Sequence, residues 1–252
     1  MNAEQPEINM PQDECLVSLA APLRAKAEIV SNDSGAADRK NNRKIAGEDP
    51  AKRNQILDGA RIVFTRMGFD AASMSDITRE AGVSKGTIYV YFKNKEDLFL
   101  ALIARQREAL FGNLRQLLDE GRPIPETLEQ YGLMLAKTLL SSEAIRAQRA
   151  IIGTVGRMPE MGIEFFNKGP RVSHALLGNW LRSHVERGAL EIPDVDLAVD
   201  QFLELCLAGQ LRPRLFGAFT EEPCPIVIQK TVGLAVHVFC KAYTATGKKR
   251  QE

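Results

Sequence analysis

SMSDITREAGVSKGTIYVYFKNKEDL, residues 73–98, carries the strongest structural signal in the chain. Ser73 followed three residues later by Asp76 is a capping-box pattern, and it predicts a helix over 74–81. Gly82 then breaks the chain, Val83 is apolar, and Ser84 can cap a further helix over 85–92. Asn94 with Asp97 repeats the capping logic and starts a long helix from 95 to about 118. Two short helices meeting across a glycine turn are the frame of a helix-turn-helix. Ile77, Ala81, Val83, Ile88 and Phe92 supply the inner face that locks the pair. Lys85, Gly86, Thr87, Tyr89 and Tyr91 are left outside.

That outer set has the chemistry of a DNA reader. Lys85 can donate to a guanine edge or a phosphate, Gly86 permits close approach, and Thr87 offers a hydroxyl and a methyl to a base. The phenols of Tyr89 and Tyr91 suit phosphate oxygens, and Ser73 and Ser75 add hydroxyls and amides at a helix N-terminus that attracts anions. Charge supports this locally, since residues 39–97 hold twelve Lys and Arg against eight Asp and Glu. The whole chain of 252 residues has a net charge of only +1, so bulk electrostatic coating of nucleic acid is not what it is built for.

Upstream, Ile56, Ala60, Val63 and Met67 repeat at helical spacing and predict a first helix from Pro50, closed by Gly68. Residues 1–48 are polar, mixed in charge and interrupted by Pro6, Pro11 and Pro22, which predicts a disordered arm. Its basic cluster, Arg39 to Lys44, can reach phosphates or a minor groove, or serve as a solvated linker, the cheaper reading of a charge run.

The run from Ile62-Val63-Phe64 through Met67-Gly68-Phe69, Met74 to Ile77 and Glu80 to Leu98 closely resembles the DNA-binding domain of TetR-family regulators. The resemblance covers about fifty residues around Gly-Val-Ser-Lys-Gly-Thr, Tyr-x-Tyr-Phe and Lys-x-Lys. It implies DNA contact by Lys85, Gly86, Thr87, Tyr89 and Tyr91, a phosphate contact by Lys95, and a homodimer on a palindromic or near-palindromic double-stranded operator. The expected contact set is Ser73, Ser75, Ser84, Lys85, Gly86, Thr87, Tyr89, Tyr91 and Lys95. Thr78 departs from the family's usual alanine. The C-terminal half is similar to the AefR-like subgroup through Arg149 to Gly153, Met158-Pro159-Glu160, Phe165-Phe166, Arg187 to Leu190 and Gln201-Phe202 to Phe216-Gly217, which names no ligand.

The remaining chain reads as helix throughout, over about 125–140, 143–154, 159–167, 170–187, 194–216 and 226–244, with proline or acidic starts and glycine ends. The fold class expected is all-α, divided into an arm (1–48), a helix-turn-helix domain (49–97), a helical regulatory and dimerisation domain (98–246) and a tail (247–252). Family analogy places a ligand cavity in the third of these, with Met134, Phe165, Phe166, Leu177, Trp180 and Leu181 as lining candidates, although each serves equally well in a plain core. Leu197, Phe202, Leu205, Leu234, Val238 and Phe239 on the last two long helices exceed what one helix need bury and predict the dimer face.

Several classes are disfavoured. His174 and His184 lack a third ligand, no CxxC is present, and neither a metal nor a cofactor is expected. No Ser-His-Asp ordering or Gly-rich phosphate loop suggests an enzyme. The run from Cys15 to Leu23 lacks the positive flank of a signal peptide, and no apolar run is long enough to predict a membrane span, so a cytoplasmic protein is expected. The function that follows is a ligand-released repressor with an unidentified small-molecule effector. An activator, or a ligand-independent scaffold acting through partners, is the alternative.

Overall fold

The computed structural model describes residues 49–245. The arm with its basic cluster and the tail lie outside the described residues. Among the described residues eleven helices follow one another: α1 (Pro50–Met67), α2 (Met74–Ala81), α3 (Lys85–Tyr91), α4 (Lys95–Asp119), α5 (Ile124–Leu139), α6 (Ser142–Thr154), α7 (Pro159–Asn167), α8 (Pro170–Glu186), α9 (Val195–Cys206), α10 (Leu211–Leu215) and α11 (Pro225–Tyr243). No strand occurs among the described residues, only an isolated bridge between Leu190 and Thr244.

The helix starts have chemical causes. Asp49 accepts from the Ala51 amide at 3.1 Å ahead of Pro50, whose missing N–H costs nothing at a first helical position. Ser73 and Asp76 form both halves of the capping box. Ser84 accepts from the Thr87 amide at 3.0 Å, and Asn94 accepts from the Asp97 amide at 2.8 Å. Each bond satisfies an amide that the helix itself leaves unpaired.

Two apolar cores result. The first gathers Ile56, Leu57, Ala60, Val63, Phe64, Ile77, Ile88 and Phe92 from α1 to α3, and reaches on to Ile103 of α4, Ile151 of α6 and Met161 of α7. The second joins the distal half of α4 to α5, α8, α9 and α11 around Tyr131, Leu177, Leu181, Phe202 and Phe239. There the buried Tyr131 hydroxyl donates to the Ser173 carbonyl at 2.8 Å, tying α5 to α8. A Cβ at Gly132 would lie 2.8 Å from Val232 and 2.9 Å from the Cys206 sulfur, so α5, α9 and α11 meet closely at this point. Burial there pushes the Cys206 thiol up to about 12.

Two expectations are corrected. Met67 is exposed, and the buried face of α1 runs instead through Ile56, Leu57, Gly59, Ala60, Val63 and Phe64. The continuous helix expected over 194–216 is broken between α9 and α10, because Gly209 takes φ 69°, a left-handed conformation that ends an α-helix. Helices α1, α2 and α7 coincide with their expected bounds, and α3, α4, α5, α6, α8 and α11 lie within one residue of theirs.

Candidate nucleic-acid interface and internal cavity

The α2–α3 pair is held from behind by α1. A Cβ on Gly59 would stand 2.7 Å from the Ala81 Cβ and 2.8 Å from its backbone, so only glycine lets the helices approach this far. Gln55 donates to the Ala81 carbonyl at 2.7 Å and satisfies the end of α2. Gly82 turns at φ 62°, and the Val83 amide donates to the Thr78 carbonyl at 3.2 Å. Thr78 is accommodated because its hydroxyl donates to the Met74 carbonyl at 2.6 Å within its own helix.

With Ile88 and Phe92 buried, α3 is anchored on one face only. Ser73, Ser75, Ser84, Lys85, Gly86 and Tyr89 are exposed, while Thr87 and Tyr91 are half-buried. The Ser84 and Thr87 hydroxyls share a 2.7 Å hydrogen bond at the start of α3. Lys85 makes no ion pair among the described residues. Asp76 is held below the usual carboxylate range first by the Ser73 hydroxyl and then by Arg79. Lys95 is engaged differently from its neighbours. Its ammonium donates to the Phe69 and Asp70 carbonyls at 2.7 and 3.2 Å and lies 4.5 Å from the Phe69 ring, joining the start of α4 to the turn between α1 and α2. Arg105, further along α4, adds a 2.8 Å ion pair to Asp58 of α1.

Where the two cores meet, a cavity of about 690 Å³ opens among α4 to α10. Phe165 and Phe166 line it, Phe166 being 57% exposed at the mouth. Leu177 and Leu181 are fully buried in the second core, Met134 packs on that core, and Trp180 meets His184 edge to face with ring centroids 4.3 Å apart. None of these four lines the cavity. Sequence reading missed Arg107 and Gln106, which project from the middle of α4 into the cavity wall. The signal was available: the apolar stripe Phe99, Ile103, Leu110, Leu114, Leu117 is interrupted on its own face by these two polar residues. Arg149 of α6 donates to the Leu215 carbonyl at 3.0 Å and to the Arg214 carbonyl, tying α6 to the end of α10. Among the described residues no group of three His, Cys, Asp or Glu side chains can hold a metal ion.

The profile described as bacterial regulatory proteins, tetR family, matches residues 56–102, and that of the AefR-like transcriptional repressor C-terminal domain matches residues 126–245. An HTH-type transcriptional repressor of Mycobacterium tuberculosis, Rv1474c, is 38% identical over 77 residues, 27% of this chain and 41% of the relative. The chain thus spans about two fifths of that relative's length. Among solved structures, a TetR-family transcriptional regulator from Mesorhizobium loti superposes with a TM-score of 0.71 at 24% identity, over 77% of this chain and 98% of that one. The flavonoid-responsive regulator FrrA superposes with a TM-score of 0.62 at 26% identity, over 79% and 100%.

Proposed function

This chain belongs to the TetR family of DNA-binding transcriptional regulators, and from that premise we propose that it is a homodimeric repressor released from a two-fold operator when a small molecule fills its cavity. The observation that carries this reading is the course of α4. The helix begins at Lys95, bonded to the turn between α1 and α2, and its middle turn forms a wall of the cavity. A ligand that favours one setting of α4 therefore changes how the recognition helix is presented, and only its differential affinity for the two settings matters. A cavity of about 690 Å³ inside the regulatory half favours this reading over a ligand-independent scaffold. FrrA, by its name, responds to a small molecule.

In this reading Lys85, Gly86 and Thr87 meet base edges in the major groove. Tyr89, Tyr91, Ser73, Ser75 and Ser84 position the protein on phosphates, and Lys95 adds a phosphate contact with the donor left over from its two carbonyl bonds. Helix-turn-helix and regulatory domains divide near Asp97, inside continuous structure rather than at a linker. The dimer forms through α9 and α11, where Leu197, Leu205, Leu234 and Val238 are between 37% and 59% exposed. Phe202 and Phe239, expected on the same face, point inward to the second core. By length and composition α11 could cross a bilayer, but its apolarity is divided between that core and the outward face that a second protomer would cover.

Fluorescence anisotropy with duplexes tiled across promoter regions, including that of the protein's own gene, tests the assignment. We expect a sequence-selective site. Thr87→Ala and Lys85→Ala should each weaken it by about 1–3 kcal/mol, the typical cost of one base contact, and relax selectivity at the contacted base. Unchanged affinity in both variants across several salt concentrations would overturn the contact set.

A further inference from the structure

Arg107 is the one cationic side chain of α4 that enters the cavity, and its surroundings are unusual for an arginine. Its guanidinium donates to the Phe165 main-chain carbonyl at 3.0 Å and lies 3.9 Å from the Phe165 ring centre. No carboxylate pairs with it among the described residues. Burial pulls its pKa down to about 10, so the charge is poorly solvated where it stands. The turn between α7 and α8 is shaped around it: a Cβ at Gly169 would lie 2.0 Å from Nη1.

The other charged groups on the cavity wall are engaged or exposed. Glu143 of α6 accepts from Gln106 at 2.7 Å. Asp200 of α9 lies 3.4 Å from the His174 ring of α8. Glu204 and Arg171 are exposed at the rim. Ile103, Leu110, Phe111 and Leu203 give the wall an apolar part. A desolvated cation that is satisfied only by a neutral carbonyl and a ring face gains most from an anion, because a carboxylate adds direct attraction between opposite charges and can pair with the guanidinium fork through two parallel bonds.

We propose that the cavity takes an amphiphilic carboxylic acid, its carboxylate paired with Arg107 and its hydrocarbon or aromatic body against the apolar wall. This deepens the effector reading above and rests on it only for regulation, not for binding. The carboxylate competes with the Phe165 carbonyl for the guanidinium. That carbonyl belongs to α7, whose Met161 packs in the first core beside Ile151, so pairing loosens a tie between α4 and an element in contact with the DNA-binding half.

Isothermal titration of the full-length protein with matched acids and primary amides, dodecanoate with dodecanamide and naphthaleneacetate with naphthaleneacetamide, tests the proposal. At least one acid should bind about tenfold or more tightly than its amide. Arg107→Met should abolish the preference, and Arg171→Met at the rim should keep it. Should Arg107→Met fail to fold by circular dichroism, Gly169→Ala serves instead, since its Cβ would stand 2.0 Å from Nη1 and must displace the guanidinium. Amides binding as well as acids, a preference that survives in both Arg107→Met and Gly169→Ala, or no binding by either acid would overturn the proposal. Operator release is read separately. Acids bound through Arg107 that leave operator affinity unchanged would sink the effector reading alone, and release by amides without acid preference would sink the carboxylate assignment alone.

Discussion

Gly59 shows how a single missing side chain holds the DNA-binding half together. Nothing in the repeat pattern of α1 marks it, since it lies between Ile56 and Val63 on a face that apolar residues already define. Its reason is the 2.7 Å that an added Cβ would leave to Ala81, whose backbone cannot move without shifting the turn at Gly82. Gly59→Ala should therefore destabilise the protein by about 1–3 kcal/mol, the usual cost of overpacking, and lower operator affinity with it. Gly112, on the exposed side of α4, has nothing within 4 Å of an added Cβ. Gly112→Ala should raise stability by about 0.5–1 kcal/mol, from the better helix propensity of alanine. Chemical denaturation of both variants checks the opposite signs, and a destabilised Gly112→Ala would count against the packing described for α4. At the same scale, the outward residues of α3 were legible because capping and burial leave them no other place. Arg107 was not, because a charged residue in an apolar stripe is read as noise until a cavity explains it.

Helix α4 belongs to both cores, and this makes it the mechanical element of the molecule. Lys95 fixes its first turn to the Phe69 and Asp70 carbonyls, Arg105 pairs with Asp58, and Arg107 holds α7. Lys95→Met keeps the stem but removes the donors, leaving two carbonyls to find water. We expect a small loss of thermal stability and a larger loss of operator affinity, with the dimer intact by size-exclusion light scattering. Wild-type operator binding by this variant would show that the start of α4 is not tied functionally to the turn between α1 and α2. The helix boundaries were readable from the chain because proline, aspartate and serine at the starts satisfy or omit the unpaired amides. The break between α9 and α10 was not, even though Gly209 and Pro213 both stand there. Apolar periodicity continues across it, and an isolated glycine within such a pattern does not by itself end a helix. Cavity and core were likewise inseparable by sequence, because Leu177 and Trp180 have the same composition and spacing whether they line a void or fill one.

At the scale of the whole molecule, the proposed dimer would use the outward face of α9 and α11 to turn one recognition helix into a pair. Leu234 is 59% and Val238 51% exposed on a helix whose opposite side is core. Leu234→Glu should convert dimer to monomer by light scattering and reduce affinity for a two-fold operator by at least about tenfold, since half of the contacts would no longer be tethered. A variant that stays dimeric would move the interface elsewhere. An effector that shifts the balance between two settings of the dimer by about 1–3 kcal/mol changes operator affinity about 5- to 150-fold, enough for a switch without large motion. The most direct test is a hydroxyl-radical footprint of the purified protein on its highest-affinity promoter duplex. Two symmetric protected patches with centres about one helical turn or more apart, roughly 34 Å at least, should appear with the wild type and vanish together in a Lys85→Ala, Thr87→Ala double variant. A single unpaired patch, or protection unaltered in the double variant, would contradict the account.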